Sequence, residues 1–309
     1  MNKSNNELNN DDLIDLQELF TLFWEKKFYV GIITSSFALL SILYALSIPN
    51  IYNSVAIMMP LEKNQGMGGI VGQFGDVASM AGISLPSANP GSKSQEAMAR
   101  IKSFDFFSNY FLPNIKLENL LAVKSWEQAS NTLLYKNFFN AKSGKWGEKA
   151  GSVGSSIPSS QRAFQKYQQL ITISEANDTL FVYLSVDHES PFIAQQWVEL
   201  IINKIDQVMR DGDRQDATNS IQYLNTIVPS INYESIKTAF SAVQQEQMKK
   251  LMLVEASENY IFKVLDSPRV PEFKSRPSRS VIVILGTLLG LMLSLLSVLV
   301  FHYSKKSSK

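Results

Sequence analysis

Cysteine is missing from the 309 residues and histidine occurs twice. The first absence excludes disulfides, thiolate nucleophiles and Cys-ligated metals. The second leaves a Ser-His-Asp arrangement or an imidazole metal site resting on His188 alone, since His302 falls at the edge of an apolar run. His188 itself follows a predicted strand and reads as a turn residue. An excess of charge of one sign is also missing, with 29 Lys plus Arg against 28 Asp plus Glu. No basic run or aromatic-interleaved basic face compensates, so nucleic acid is not an expected partner. The GMGG stretch near Gly66 lacks the lysine of G-x-x-x-x-G-K-[ST], which argues against a phosphate cradle. Asp211, Asp213 and Asp216 lack the loop geometry and terminal glutamate of a calcium site, and they alternate with Arg210 and Arg214 around a predicted helix. No carboxylate pair suited to glycoside hydrolysis can be picked out by spacing. The expectation is a protein with no catalytic residues, no cofactor and no bound metal.

What the sequence does contain is two long uncharged runs. Phe28 to Ile48, FYVGIITSSFALLSILYALSI, is long enough as a helix to cross a hydrocarbon core of about 30 Å. A cleaved signal peptide would need a basic leader, a shorter apolar stretch and a small-residue cleavage site, whereas this leader is long and acidic. Ser280 to Tyr303, SVIVILGTLLGLMLSLLSVLVFHY, is the second candidate span. Two crossings return the chain to its starting side. Lys26 and Lys27 precede the first run and Lys305, Lys306 and Lys309 follow the second, which by the positive-inside rule puts both termini in the cytoplasm. Lys274, Arg276 and Arg279 on the other flank reduce that asymmetry without reversing it. The expected organisation is a cytoplasmic tail with an amphipathic helix (1–27), a first span (28–48), a periplasmic domain (49–279), a second span (280–303) and a short cytoplasmic tail (304–309). The bacterial inner membrane is the expected location.

Along the chain, Leu13, Leu16, Phe20, Phe23 and Trp24 recur at helical spacing, as a surface helix or as a plain extension of the first span. IYNSVAIMM after Pro49 alternates like a strand. Gln65 to Ser94 reads as a glycine-rich loop, Gln95 to Leu112 as a helix stopped by Pro113, and helical pieces are expected on through Leu133 to Phe139. After an exposed loop from Lys142 to Ser160 and a short helix from Gln161 to Leu170, ITISEANDTLFVYLSVD predicts a hairpin turning at Asn177-Asp178. Ser190-Pro191 then predicts a helix start. Trp197, Ile201, Ile205 and Val208 form one apolar stripe of that helix, and Ile221, Leu224 and Val228 form another beyond a polar middle, where Gly212 could kink it. A continuous helix to Val228 would be about 55–60 Å long and would have to stand out from a compact core. Tyr233 to Ala256 predicts its returning partner, with Ile236, Phe240, Val243 and Leu251 on one side. Tyr260 to Asp266 predicts a last strand before Pro268, Pro271 and Pro277. The three strand regions can share one sheet, giving an α+β fold: a mixed base flanked by two transmembrane helices, carrying a long projecting helical hairpin over about 190–256.

Two stretches, Ile14 to Pro60 and Gln247 to Leu296, hold in order a leading helix, a span, a proline exit, a tyrosine-containing strand, then a tyrosine-initiated strand, spaced prolines, basic juxtamembrane residues and a glycine-bearing span. In this they resemble the Wzz-type polysaccharide co-polymerases, the chain-length determinants of bacterial surface polysaccharides. The glycine-rich Gln65 to Ser94 stretch is similar to that of the tyrosine-autokinase co-polymerases, although only six residues follow the second run and they hold no kinase domain. The resemblance implies a ring-like homo-oligomer that sets the modal length of a lipid-linked polysaccharide, such as O-antigen, made by a separate Wzy-type polymerase. The alternatives are a membrane sensor or adaptor for a separate cytoplasmic tyrosine kinase, and a periplasmic hydrolase.

Candidate contacts follow. Trp197 and Ile221 are expected as exposed positions on the long helix, with Arg210 and Arg214 facing a neighbouring subunit. Gly286 and Gly290 form a G-x-x-x-G that permits close helix approach or reflects the glycine content of membrane spans. Arg276 and Arg279 could meet lipid headgroups or acidic groups of a partner.

Overall fold

The computed structural model describes residues 21, 23–61, 93–147, 157–230 and 233–307. Most of the leading amphipathic pattern and nearly all of the glycine-rich stretch lie outside these residues. The chain divides into two units, Met1–Pro49 with Arg276–Lys309, and Asn50–Ser275.

In the first unit, helix α1 covers Lys27–Ser47, the segment anticipated from its uncharged run. In the second unit the chain enters strand β1, Tyr52–Pro60, whose Ser54, Ala56 and Met58 point inward while Val55 stays exposed. Helix α2, Lys93–Ile101, is shorter than the run to Leu112 had suggested. Ser103 accepts a hydrogen bond from the Phe106 N–H and so caps a fresh start, α3 (Phe104–Phe106), which continues as a π-helical turn over Phe107–Phe111. Pro113 sits inside a closing 3-10 turn. Helix α4 (Leu117–Leu121) follows.

The expected helix through Leu133 to Phe139 is replaced by two small hairpins. Strand β2 (Val123–Glu127) pairs antiparallel with β3 (Thr132–Tyr135), and β4 (Phe139–Asn140) with β5 (Lys145–Trp146). The reason is local. Asn131 adopts φ 48° and Gly144 φ 64°, left-handed conformations that Asn and Gly tolerate and that reverse the chain. The aromatic and β-branched residues on either side then pair across strands.

Helix α5 (Ser160–Leu170) is capped by the Ser159 hydroxyl, and β6 (Ile171–Glu175) and β7 (Val182–His188) form the anticipated hairpin. Helix α6 runs unbroken through Gly212 over Pro191–Ile227, with Pro191 in its first turn. The Ser190 hydroxyl does not cap it; instead the Ser190 backbone N–H donates to His188. Helix α7 (Glu234–Ala256) returns alongside, and β8 (Phe262–Asp266) completes an antiparallel sheet in the order β6-β7-β1-β8. That sheet joins the strand after the first apolar run to the hairpin and to the strand before the second, as their alternation predicted.

The core lies between the sheet's inner face and the first half of α6. Val182, Leu184 and Val186 of β7 meet Trp197, Ile201 and Ile205, and an aromatic group of Phe106, Phe107, Phe111 and Tyr167 fills the end beside α5. Beyond Met209 the helix has only Ala217 and Leu224 buried, so its second half depends on α7 rather than on the core. Two polar side chains of this core are paired: Tyr167 donates to the Ile101 carbonyl at 2.8 Å and Ser54 to that of Arg269 at 2.8 Å.

His188 is the last residue of β7 and is buried, not a turn residue. Its Nδ1 accepts from the Ser190 N–H at 2.8 Å, which leaves Nε2 to donate to the Asn119 carbonyl at 2.9 Å. Burial lowers its pKa from the ordinary 6.5, more than neighbouring Glu189 and the bond to Asn119 raise it. The neutral ring is therefore part of the fold. Because the unfolded chain binds this proton first, stability is present above pH 6.5 and falls as the pH drops below it, by up to about 1.4 kcal/mol per pH unit while the folded ring stays neutral. Full-length protein in detergent should melt at a lower temperature at pH 5.5 than at pH 7.5, and His188→Asn should remove most of that difference. Equal pH sensitivity in the variant would assign the effect elsewhere.

Helix α8 (Arg279–Ser307) returns to the first unit and packs on α1. Tyr29 approaches Phe301, Thr34 approaches Ser294, Phe37 faces Gly290 and Ser41 faces Gly286, an antiparallel register. Both helices are long and apolar enough to cross a membrane. Their remaining faces expose leucine, isoleucine, valine and methionine, including Leu39, Leu43, Leu289 and Met292.

Candidate functional site

Asp206, Arg210, Asp213 and Arg214 fall at i, i+4, i+7 and i+8, and so share one face of α6 where its buried half gives way to its exposed half. That face meets the C-terminal end of α7 and the entry to β8. Asp206 Oδ1 accepts from the backbone N–H of Tyr260 at 2.8 Å and of Ile261 at 3.1 Å, and its Oδ2 accepts from Arg210 at 2.8 Å. Arg210 also donates to the carbonyls of Val254 at 2.7 Å, Ser257 at 2.6 Å and Glu258 at 3.1 Å. These carbonyls include ones that a helix end leaves without intrahelical partners and that carry the negative end of its dipole. Arg214 bridges Glu255 and Asp211, each at 2.6 Å.

Asp213 collects Lys250 at 2.6 Å, the Tyr260 hydroxyl at 2.5 Å and Lys93 from the first turn of α2. The Tyr260 ring lies 5.4 Å from the Arg210 guanidinium and 5.1 Å from the Lys93 ammonium, within cation–π range. Burial pushes the Asp213 carboxyl up, but hydrogen bonds from Lys250, Lys93 and Tyr260 outweigh it and hold it below the ordinary carboxylate value. Burial and the Asp213 carboxylate push the Tyr260 hydroxyl up. The acid is held ionised and the phenol neutral, so neither is poised to exchange a proton near neutrality. The junction ties α2, α6, α7 and β8 together and offers no acid–base pair. Among the described residues no group of three or more His, Asp or Glu could hold a metal ion.

Several expected contacts change meaning here. Trp197 is only 5 % exposed and packs edge-on against Phe111 and His188, because the first apolar stripe of α6 faces the sheet. It is a core residue and not a subunit contact. Arg210, expected to face a neighbour, turns its guanidinium on Asp206 and three carbonyls of the same chain, whereas Arg214 pairs through Nε and Nη1 with Glu255 and Asp211 and stays 38% exposed. Ile221 is half-buried on the second half of α6. Gly286 and Gly290 face Ser41 and Phe37 of the same chain, where an added Cβ would overlap those side chains. Arg276 precedes Pro277 and Arg279 opens α8. Sequence reasoning missed Asp206, Lys93, Lys250 and Tyr260. The Asp206–Arg210 spacing was visible as an i, i+4 pair, whereas the other three reach the junction only through tertiary packing.

The family model for Wzz, chain length determinant protein, matches residues 12–110, which include α1, β1, α2 and most of the π-helical turn. The resemblance is to the Wzz chain length determinants. The second stretch that suggested it, Gln247 to Leu296, lies outside that match, and no curated protein matches the chain. Among solved structures, a full-length bacterial polysaccharide co-polymerase aligns over 94% of this chain and 99% of its own, at 14% identity and a TM-score of 0.42. A fragment of WzzB, a polysaccharide co-polymerase from Salmonella Typhimurium, aligns over 74% of this chain and 100% of its own at 12% identity and TM-score 0.29. A mutant of the Shigella flexneri lipopolysaccharide O-antigen chain-length regulator aligns over 73% of this chain and 100% of its own at 11% identity and TM-score 0.23.

Proposed function

We propose that this chain regulates the modal length of a lipid-linked surface polysaccharide, O-antigen or a related polymer, by acting as a homo-oligomeric co-polymerase beside a Wzy-type polymerase. The observation that carries the reading is the Wzz match over residues 12–110. Deleting the gene should broaden the polysaccharide length distribution on gels, and supplying it again should restore the mode. An unchanged distribution in the deletion strain would end the proposal.

In this reading the protein crosses the inner membrane twice, with both termini cytoplasmic and the Asn50–Ser275 unit periplasmic. Two apolar helices and their flanking lysines support that topology. Alkaline phosphatase fused at Ser155 should be active and a fusion after Lys309 inactive; activity of both would refute two crossings. With Trp197 in the core and Arg210 engaged within the chain, subunit contacts would fall to Arg214 and to the outer half of the α6–α7 hairpin. There Ile221 is half-buried, and Tyr223, Tyr233 and Ile236 are exposed.

A further inference from the structure

Three aromatic rings from three separate elements meet at one surface of the Asn50–Ser275 unit. Tyr52 opens β1, Trp126 stands on β2 and Phe192 lies in the first turn of α6. The Trp126 ring is perpendicular to Tyr52 at 5.5 Å between centroids, and it lies 6.0 Å from Phe192. None of the three belongs to the buried core cluster: Phe192 is 41% exposed and the other two are half-buried. The indole is also held from its polar edge, where its N–H donates to the Asn131 side-chain oxygen at 2.9 Å. Asn131 is the residue whose left-handed backbone turns the β2–β3 hairpin. Packing and a hydrogen bond thus fix the ring's orientation before any ligand arrives, which lowers the ordering cost of binding.

The hairpin that carries the indole is polar around it. Lys124, Glu127, Ser130 and Asn131 are exposed there, with Ser130 donating to Glu127 at 2.5 Å and Asn131 accepting from the indole. An aliphatic partner would strip water from the remaining lone pairs and N–H groups without replacing their hydrogen bonds. A sugar ring meets both demands, because one face presents polarised C–H bonds to the negative face of an aromatic ring while its rim of hydroxyls can bond the Lys124 ammonium, the Asn131 amide N–H and the free carboxylate lone pairs of Glu127. We infer that the Tyr52–Trp126–Phe192 surface binds a sugar unit of the polysaccharide. This rests on the reading that the chain works on such a polymer and adds to it a place where the polymer is held.

The test uses full-length protein in nanodiscs and repeat-unit oligosaccharides released by mild acid from the producing cell's own surface polysaccharide. Wild type should bind them by calorimetry, with saturation transfer to the sugar C–H protons. Trp126→Ala should weaken binding about tenfold or more, Trp126→Phe should keep it within a few-fold, and Trp146→Ala on the neighbouring hairpin should leave it unchanged. Absence of binding by wild type would overturn the inference, as would equal binding by Trp126→Ala. So would quenching of Trp126 by brominated nanodisc lipids without sugar binding, which would assign the surface to the membrane. Binding read on purified protein is separate from length control in cells. Sugar bound at Trp126 together with unaltered lengths in the deletion strain would refute the length reading alone.

Discussion

Replacing Arg210 with alanine should cost the Asn50–Ser275 unit about 3 kcal/mol of stability, because it leaves charge-assisted hydrogen bonds unmade at a site where only 17% of the side chain meets solvent. The carbonyls of Val254, Ser257 and Glu258 would lose their donor and Asp206 would lose its cation, so the end of α7 and the entry to β8 would loosen together. A loss of that size is a large share of a domain's net stability. Arg214→Ala should do far less, since Arg214 is more than a third exposed and its partners Asp211 and Glu255 more than half, and its effect should fade with salt. Chemical denaturation of the two variants at low and high salt checks both statements. Equal losses would mean that the junction is not centred on Arg210. An oligomer that came apart while each subunit kept its stability would return these arginines to the subunit interface.

Replacing Gly286 and Gly290 together with leucine should separate α1 from α8. A side chain at either position overlaps Ser41 or Phe37, and neither helix backbone can yield without losing the register from Tyr29–Phe301 to Ser41–Gly286. The absence of cysteine makes this readable. Thr34→Cys with Ser294→Cys places two thiols where the native hydroxyl oxygens are 3.5 Å apart, and they would be the chain's only thiols. Cross-linking within one chain should be efficient with the glycines present and fall several-fold without them. Oligomer size in detergent should hardly change, because lipid-facing apolar helices gain little from association, while polysaccharide lengths should broaden. Collapse of the oligomer to monomers would show that the spans, and not the larger unit, hold it together.

The parts of this architecture that were legible from sequence are those where one physical constraint dominates. Uncharged length fixed both apolar helices to within a residue or so at their starts. Alternation in β1, β6 and β7 identified the sheet, because one face is buried and the other is not. The hairpins after Val123 were not legible as strands. Leu133, Leu134 and Tyr135 suit a helix as well as a strand, and the decision rests with a left-handed Asn131 and a cross-strand Trp126. The role of Trp197 was misread because its stripe is continuous with Ile201 and Ile205, and only the packing of α6 on the sheet shows that the stripe is consumed inside the chain. The same holds for Arg210. Its pair with Asp206 lies within one helix turn, but the carbonyls that explain it are more than forty residues away in sequence.

Reconstitution tests the central claim most directly. A Wzy-type polymerase in proteoliposomes, fed a lipid-linked repeat unit, should make a broad ladder of products. Adding this chain should gather the ladder around a mode, without changing the number of repeat units consumed and without cleaving finished polymer. A distribution indifferent to the chain, or polymer shortened by the chain in the absence of the polymerase, would contradict the account.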